Sequence, residues 1–220
     1  MTDYAALRRT MVESQLRASE VTDRRVLAAM GEVPRELFVA EARRTLAYMD
    51  APIGIVTAAG RRELAPPALI GKLVQLAQID ADDSVLEIGA TTGYGAAVMG
   101  RLARSVVALE NDYALVKLAR AALASTKSTN VAVVEGPLER GHAEAGPYDV
   151  IVIAGAIPEV PAAILAQLRR RGRLVALVGD GGLCRAEVFE RAGKTWSAAP
   201  AFQAAAAPLP GFQRLPVFQL

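Results

Sequence analysis

The 220-residue chain has one cysteine, one histidine and one tryptophan, and aromatic side chains make up only 5% of it. The lone Cys184 excludes an intrachain disulfide framework, and together with a single histidine it excludes a Cys/His zinc cluster. No apolar run reaches the ~18–20 residues that cross a bilayer. The first ten residues are charged and lack the apolar stretch of a signal peptide. We therefore expect a cytoplasmic protein without a metal site or a membrane partner.

The chain also has little excess of either charge, since its formal net charge is +2. The one dense basic run, Arg169–Arg171, fits the C-terminal end of a helix better than a nucleic-acid surface, so no nucleic-acid partner is expected. What the chain has in quantity is apolar residues, at 52% of the total. This composition predicts a globular domain with a substantial core.

Residues 1–65 are predicted to form a helical segment followed by a loop. Apolar residues at helical spacing cover Tyr4–Arg17, a second helix follows, and a short third helix begins at Pro34. Residues 50–65 carry turn-forming and charged residues, which predicts a loop. The pair Pro66-Pro67 then begins a new helix.

Residues 66–220 alternate strand and helix patterns, which predicts an α/β fold with a doubly wound parallel sheet in one structural unit with the N-terminal segment. The predicted strands are short and apolar on both faces, as buried parallel strands are. They are Ser84–Ile88, Ser105–Leu109, Val131–Glu135, Asp149–Ala154 and Arg173–Val178, with helices at Gly93–Ala103, Asp112–Ser125 and Glu159–Leu168.

The end of the chain departs from this alternation. A glycine-rich turn at residues 179–182 predicts an antiparallel edge hairpin whose second strand is Arg185–Arg191. The Ala/Pro-rich stretch Ala198–Pro210 is predicted to be a loop, and Phe212–Phe218 a last strand.

The turn after the first strand of the sheet reads Glu-Ile-Gly-Ala-Thr-Thr-Gly-Tyr-Gly over residues 87–95. Glycines there let a ligand approach the backbone, and the following helix offers free N–H groups. The glycine spacing does not match the G-x-G-x-x-G of NAD sites. Glu87 suits a cationic amino-acid group rather than a pyrophosphate, and Glu110, at the end of the next strand, can accept both ribose hydroxyls. Together these features favour S-adenosylmethionine over NAD.

Further motifs carry a resemblance to a known family. They are Met-Val-Glu-Ser-Gln-Leu-Arg at 11–17, Val-Pro-Arg-Glu-Leu-Phe-Val at 33–39, Asp-Ala-Pro-Ile-Gly at 50–54, the turn at 85–94, Gly-Pro-Tyr-Asp-Val-Ile-Val at 146–152, Ile-Pro-Glu-Val-Pro at 157–161 and Gly-Arg-Leu-Val at 172–175. Over nearly its whole length the sequence resembles the protein-L-isoaspartate (D-aspartate) O-methyltransferases. The resemblance implies a Rossmann-like class I methyltransferase sheet. It also implies transfer of a methyl group from S-adenosylmethionine to the carboxylate of isoaspartyl residues in damaged proteins or peptides.

Three positions depart from the pattern of this family. Thr91 stands where the family has glycine, and a β-branched residue resists a positive φ. Ala65 stands at the family's active-site serine and has no hydroxyl. Pro137 stands where the family has an aspartate near the adenine amino group.

The candidate catalytic positions are Ala65 and the nearby Arg61 and Arg62, which could pair with a substrate carboxylate. The candidate cofactor-binding residues are Glu87, Gly89, Ala90, Thr91, Gly93, Tyr94, Glu110, Asn111, Pro137 and Leu138. The sequence leaves three functions open: isoaspartyl methyltransferase, methyltransferase for another acceptor, or a family member that has lost catalysis and serves as a binding or regulatory protein. Oligomeric state has no signal in the sequence.

Overall fold

The computed structural model describes residues 2–192 and 195–212. The N-terminal part is helical, as predicted. Helix α1 spans Tyr4–Thr10 and continues as a π-helical turn over Met11–Leu16, and α2 spans Arg24–Glu32. Two 3-10 turns, Arg35–Phe38 and Glu41–Leu46, follow. Within the described ranges, no helix combines the length and the apolar character needed to cross a bilayer.

The loop predicted over residues 50–65 is wrong, because most of it is a β-hairpin. Strand β1 spans Ile53–Thr57 and pairs antiparallel with β2, Gly60–Leu64. The inward positions of β2 are Arg62 and Leu64, so a buried arginine stands where an apolar residue would have revealed the strand. Alternation of apolar and polar residues, the sequence signal of a half-buried strand, is therefore broken here.

The main sheet has seven strands, which are β3 Ser84–Ile88, β4 Ser105–Glu110, β5 Val131–Glu135, β6 Tyr148–Ile157, β7 Leu168–Val178, β8 Gly182–Ala192 and β9 Thr195–Ala206. Their order in the sheet is β5-β4-β3-β6-β7-β8-β9. The first five of that order pair in parallel, β8 pairs antiparallel with β7, and β9 pairs antiparallel with β8. The helices are α3 Pro67–Ala77, α4 Tyr94–Met99, α5 Tyr113–Ser125 and α6 Ala162–Leu165. The doubly wound sheet and its antiparallel edge hairpin are thus confirmed.

Two other predictions for this part of the chain are wrong. The stretch Ala198–Pro210 is mostly strand β9, which is held as an edge strand by its pairing with β8. Pro200 lies at a register shift between Ala186 and Glu187, where a missing N–H is tolerated. The basic run Arg169–Arg171 begins β7 instead of ending a helix, because α6 stops at Leu165. The strand predicted over Phe212–Phe218 lies outside the described residues apart from Phe212.

The strand order reverses between β3 and β6, which run side by side although two strands separate them in sequence. In open α/β sheets the crevice at the carboxyl ends of such strands is the usual ligand site. One core packs the N-terminal helices, α3 and α4 against a face of the sheet, and a second core lies around Leu86, Ile151 and Ile164. The lone Cys184 is buried within the first core. The carboxyl ends of β3 and β6, where the strand order reverses, therefore mark the candidate ligand site.

Candidate cofactor and substrate site

The turn that joins β3 to α4 is built on three residues with positive φ. Gly89, Thr91 and Gly93 have φ of 84°, 50° and 88°. The backbone N–H groups of Gly89 and Ala90 donate to the carbonyl of Leu109, at 2.9 and 3.1 Å, which ties the turn to the neighbouring strand β4. Thr91 therefore adopts the left-handed conformation that the family's glycine would adopt freely, at the cost of local strain.

The carboxylate of Glu110 is fully buried at the carboxyl end of β4, beside the turn. The N–H of Thr91 donates to its Oε2 at 2.8 Å, and those of Asn111 and Asp112 donate to Oε1 at 2.9 and 3.2 Å. A buried carboxylate needs such donors to offset its lost hydration. Glu110 thus lies where an acid that accepts ribose hydroxyls was predicted, next to the glycine turn.

Arg62 also binds Glu110. Its guanidinium makes two contacts, Nη1 to Oε1 at 2.6 Å and Nη2 to Oε2 at 3.0 Å, and its side chain is 8% exposed. Two parallel charge-assisted bonds of this kind are stronger and more directional than a single ion pair. Sequence reasoning placed Arg62 at a substrate carboxylate, whereas in the structure it binds a carboxylate of its own chain.

A second contact fixes the hairpin over the same strand end. The hydroxyl of Thr57 donates to the carboxylate of Asp112, whose other oxygen caps α5 through the N–H groups of Ala114 and Leu115. Arg62 Nη1 also reaches Asn111 Oδ1 at 3.1 Å. The β1–β2 hairpin therefore covers the carboxyl end of β4.

Two cavities lie at this end of the sheet. The larger, about 340 Å³, is lined by Ala65 and Pro66 on one side and by Thr91, Ala154 and Gly155 on the other. The smaller, about 200 Å³, is lined by Asn111, Asp112 and the segment Pro208–Pro210. Arg61, Arg62, Pro208 and Leu209 line both cavities. The three candidate catalytic residues and Thr91 of the candidate cofactor turn thus line the same cavity.

Leu209 was not predicted as a site residue, yet it lies in the crevice at the strand reversal. Backbone bonds of 2.9 Å from Ala156 N to Ala207 O and from Leu209 N to Ala156 O hold its segment beside β6. A Cβ on Gly89 would lie 2.8 Å from Leu209 Cδ2, and one on Gly155 would lie 2.7 Å from Leu209 Cγ. The absence of side chains at these two glycines makes room for Leu209.

Glu87 does not line either cavity. It is 3% exposed, beneath the first turn of α4, where the N–H of Ala96 donates to it. Burial, with a smaller contribution from the nearby charge of Glu110, raises the pKa of Glu87 to about 8. Its Oε2 has no hydrogen-bond partner among the residues that the structure describes. The carboxyl group is therefore largely protonated at neutral pH.

Arg35 is a positioning residue that sequence reasoning missed. It is fully buried, donates from Nε to the Ala47 carbonyl at 2.7 Å and from Nη2 to the Ala65 carbonyl at 2.6 Å, and lies 4.7 Å from the Tyr94 ring centroid. Burial lowers the pKa of Arg35 and raises that of Tyr94 to about 12. Arg35 thus joins the backbone at Ala65 to the start of α4. Its only sequence signal was its place in the motif at 33–39.

The remaining candidates are divided between the core and the surface. Tyr94 is buried and packs edge-on against Phe38 at 5.6 Å, so the structure places it in the core. Leu138 is buried, whereas Pro137 is exposed. Arg61 is largely exposed at the mouth of the cavities, with Glu63 3.7 Å away. Within the described ranges, no group of three or more His, Cys, Asp or Glu side chains is placed to hold a metal ion.

Comparison with known proteins supports the resemblance seen in the sequence. The family described as protein-L-isoaspartate(D-aspartate) O-methyltransferase matches residues 7–205. The chain belongs to this family. Its relatives include a protein-L-isoaspartate O-methyltransferase of Rhodopseudomonas palustris, 44% identical over 77% of this chain and 76% of the relative. One from Koribacter versatilis is 38% identical over 82% and 80% of the two chains.

Solved structures of family members share the fold. A protein-L-isoaspartate O-methyltransferase superimposes with a TM-score of 0.82 at 24% identity, over 93% of this chain and 67% of the other. A Plasmodium falciparum family member, solved in complex with S-adenosyl-L-homocysteine, gives 0.78 at 15% identity over 96% and 100%. At these identities the likeness shows the fold alone.

Proposed function

We propose that this chain is an S-adenosylmethionine-dependent methyltransferase that acts on the carboxylate of isoaspartyl residues in damaged proteins or peptides. The observation that carries the proposal is the 340 Å³ cavity, because Ala65 and Pro66 of the active-site loop and Thr91 of the glycine turn line it together. Donor and acceptor would then meet in one cavity. Membership in the family supports the same reading.

The residues at and beside the turn are of the types that bind an adenosyl ligand. Gly89, Ala90 and Gly93 form a tight turn at the strand reversal, and Glu110 stands beside it as an acceptor for hydroxyls. When bound, S-adenosylmethionine supplies a methyl group on a positively charged sulfur. In the structure both oxygens of Glu110 are already bound by Arg62, so the carboxylate is not open to a ribose.

The chain's own part in the reaction is alignment and exclusion of water. The acceptor carboxylate is already an anion, so no general base is needed and proximity supplies most of the rate. Arg61 is the cation at the cavity mouth that can attract this carboxylate, and Arg35 holds the Ala65 backbone in place. Ala65 contributes no hydroxyl to orient the acceptor, which predicts a slower enzyme than one with serine there.

The test is transfer of a radiolabelled methyl group to a synthetic isoaspartyl peptide, with the same peptide containing aspartate as its control. The expected product is a base-labile ester on the isoaspartyl peptide alone, detected as volatile methanol after mild base. Equal labelling of both peptides would point to another acceptor. Absence of labelling with the ligand bound would reject methyl transfer to isoaspartyl residues.

A second candidate is a family member that binds a ligand or partner without catalysis. Two observations favour it: Ala65 lacks the hydroxyl, and Glu110 is already paired with Arg62. Binding of S-adenosylhomocysteine together with no transfer to any isoaspartyl peptide would select this function. We place either function in the cytoplasm as part of the proposal, with the free thiol of Cys184 compatible with a reducing compartment.

A further inference from the structure

We propose that Arg62 is a built-in competitor for the ribose position of the cofactor, and that an adenosyl ligand binds only when this guanidinium leaves Glu110. The proposal rests on the proposed function, because it concerns the same ligand. It gives Arg62 a role that differs from contact with the substrate, namely control of cofactor affinity.

The first support is the saturation of the Glu110 carboxylate. Its two oxygens offer about four lone-pair sites. Five N–H donors already point at them, namely Arg62 Nη1 and Nη2 and the backbone groups of Thr91, Asn111 and Asp112. A ribose diol would add two more donors. The diol and the arginine therefore cannot both be satisfied by this carboxylate.

The second support is the position of Arg62 between the two cavities. Arg62 and Leu209 line both the 340 Å³ cavity, which holds Ala65 and Thr91, and the 200 Å³ cavity, which holds Asn111 and Asp112. Glu110 itself lines neither cavity, but Thr91 of the larger cavity and Asn111 and Asp112 of the smaller one donate N–H bonds to it. Arg62, which lines both cavities and binds both oxygens of Glu110, therefore stands between this carboxylate and the space open to a ligand.

The third support is that hairpin β1–β2, which carries Arg62, makes few polar contacts with the rest of the protein. Hairpin β1–β2 is a separate two-stranded sheet, tied to the main domain by Arg62 and by the hydroxyl of Thr57 on Asp112. Arg43 Nη1 adds one bond, at 2.8 Å, to the Gly54 carbonyl at the base of the hairpin. Displacement of Arg62 is therefore a local movement that leaves the main sheet intact.

The experiment is calorimetric titration of the full chain with S-adenosylhomocysteine, which binds without reacting. Arg62→Gln removes the charge and the two-point contact, and we expect its dissociation constant to fall about tenfold or more below that of the wild type. Arg24→Gln is the control, since it removes the same charge from an exposed position in α2 that lines neither cavity. We expect its affinity to stay within about twofold of the wild type.

Folding is checked by circular dichroism and by the melting temperature without ligand, which should fall for Arg62→Gln because a buried carboxylate loses its partner. If that variant does not fold, Arg62→Lys decides. One ammonium keeps the charge but does not reproduce the planar two-point contact, so an intermediate gain in affinity is expected.

The outcomes separate this inference from the proposed function. Tighter binding by Arg62→Gln or Arg62→Lys supports the inference. This holds even if the wild type gives no detectable heat of binding. Wild-type binding that the variants leave unchanged or weaken overturns the inference and leaves the proposed function standing. No binding by the wild type or by either variant overturns both, because opening Glu110 would then have uncovered no site.

Discussion

Glu87→Gln is expected to remove a pH dependence of stability that this one buried carboxyl group creates. Glu87 is 3% exposed beneath α4, and burial is the main cause that raises its pKa from 4.5 to about 8. The N–H of Ala96 opposes the shift and the charge of Glu110 adds to it. Glutamine has a similar shape and an acceptor oxygen for Ala96, but it does not titrate.

The size of the effect follows from the two pKa values. Between about pH 4.5 and 8 the folded chain holds a proton on Glu87 that the unfolded chain has released. The free energy of unfolding then falls by roughly 1.4 kcal/mol for each pH unit. The contribution of the raised pKa is complete below pH 4.5 and is lost as the pH rises through 8. Over the whole window it amounts to about 5 kcal/mol, as an order of magnitude.

The assay is urea unfolding of wild type and Glu87→Gln at half-unit steps from about pH 5 to 8.5. The difference in unfolding free energy between the two proteins should shift in favour of the variant by roughly 1.4 kcal/mol per pH unit. Glu41→Gln, at an exposed carboxylate, is the control and should show no such trend. A difference between wild type and Glu87→Gln that stays constant with pH would refute the reasoning, because it would mean that Glu87 is ionised in the folded chain.

Three further substitutions test other parts of the site. Arg35→Lys should lower the free energy of unfolding by about 2–4 kcal/mol in urea, because one ammonium cannot reach the carbonyls of Ala47 and Ala65 and also cover the Tyr94 ring. The control Arg24→Lys, at an exposed position, should lower it by less than about 0.5 kcal/mol. Ala65→Ser should raise kcat/KM for an isoaspartyl peptide about tenfold, since a hydroxyl can donate to the acceptor carboxylate, and an unchanged value would remove position 65 from the acceptor site. Thr91→Gly should leave the free energy of unfolding within about 1 kcal/mol of the wild-type value. Relief of about 1–2 kcal/mol of backbone strain is offset by the greater chain entropy of glycine and by the loss of a buried methyl group. A fall in the free energy of unfolding of more than about 2 kcal/mol would disprove the strain.

The parallel part of the sheet could be predicted because each of its strands contains a short apolar run that follows or precedes a turn signal. The bounds Ser84–Ile88 and Val131–Glu135 are those of β3 and β5. Strand β9 could not be predicted, because alanine and proline have low strand propensity and its pairing with β8 decides its structure. Hairpin β1–β2 was missed for a different reason, since its inward position 62 holds an arginine.

The site could be predicted only where its residues are neighbours in sequence or end adjacent strands. The turn and Glu110 meet this condition, and the structure joins them through Thr91 N and Glu110 Oε2. The partner of Arg62 could not be found in this way, because it lies 48 residues further along the chain and the hairpin that carries Arg62 was not recognised. Leu209 had no signal either, as it stands in a stretch that was interpreted as a loop.

The contacts of Glu110 connect two of the residues that sequence reasoning singled out. A fully buried carboxylate must be neutralised or hydrogen-bonded, and here Thr91 and Arg62 supply three of its five donors. The fold is therefore stabilised by the two contacts of Arg62 that a bound diol would have to replace. Because a ligand stabilises only the state that binds it, one residue can raise the stability of the free protein and lower its affinity. Arg62 should shift these two quantities in opposite directions, which an unrelated loss of packing would not do.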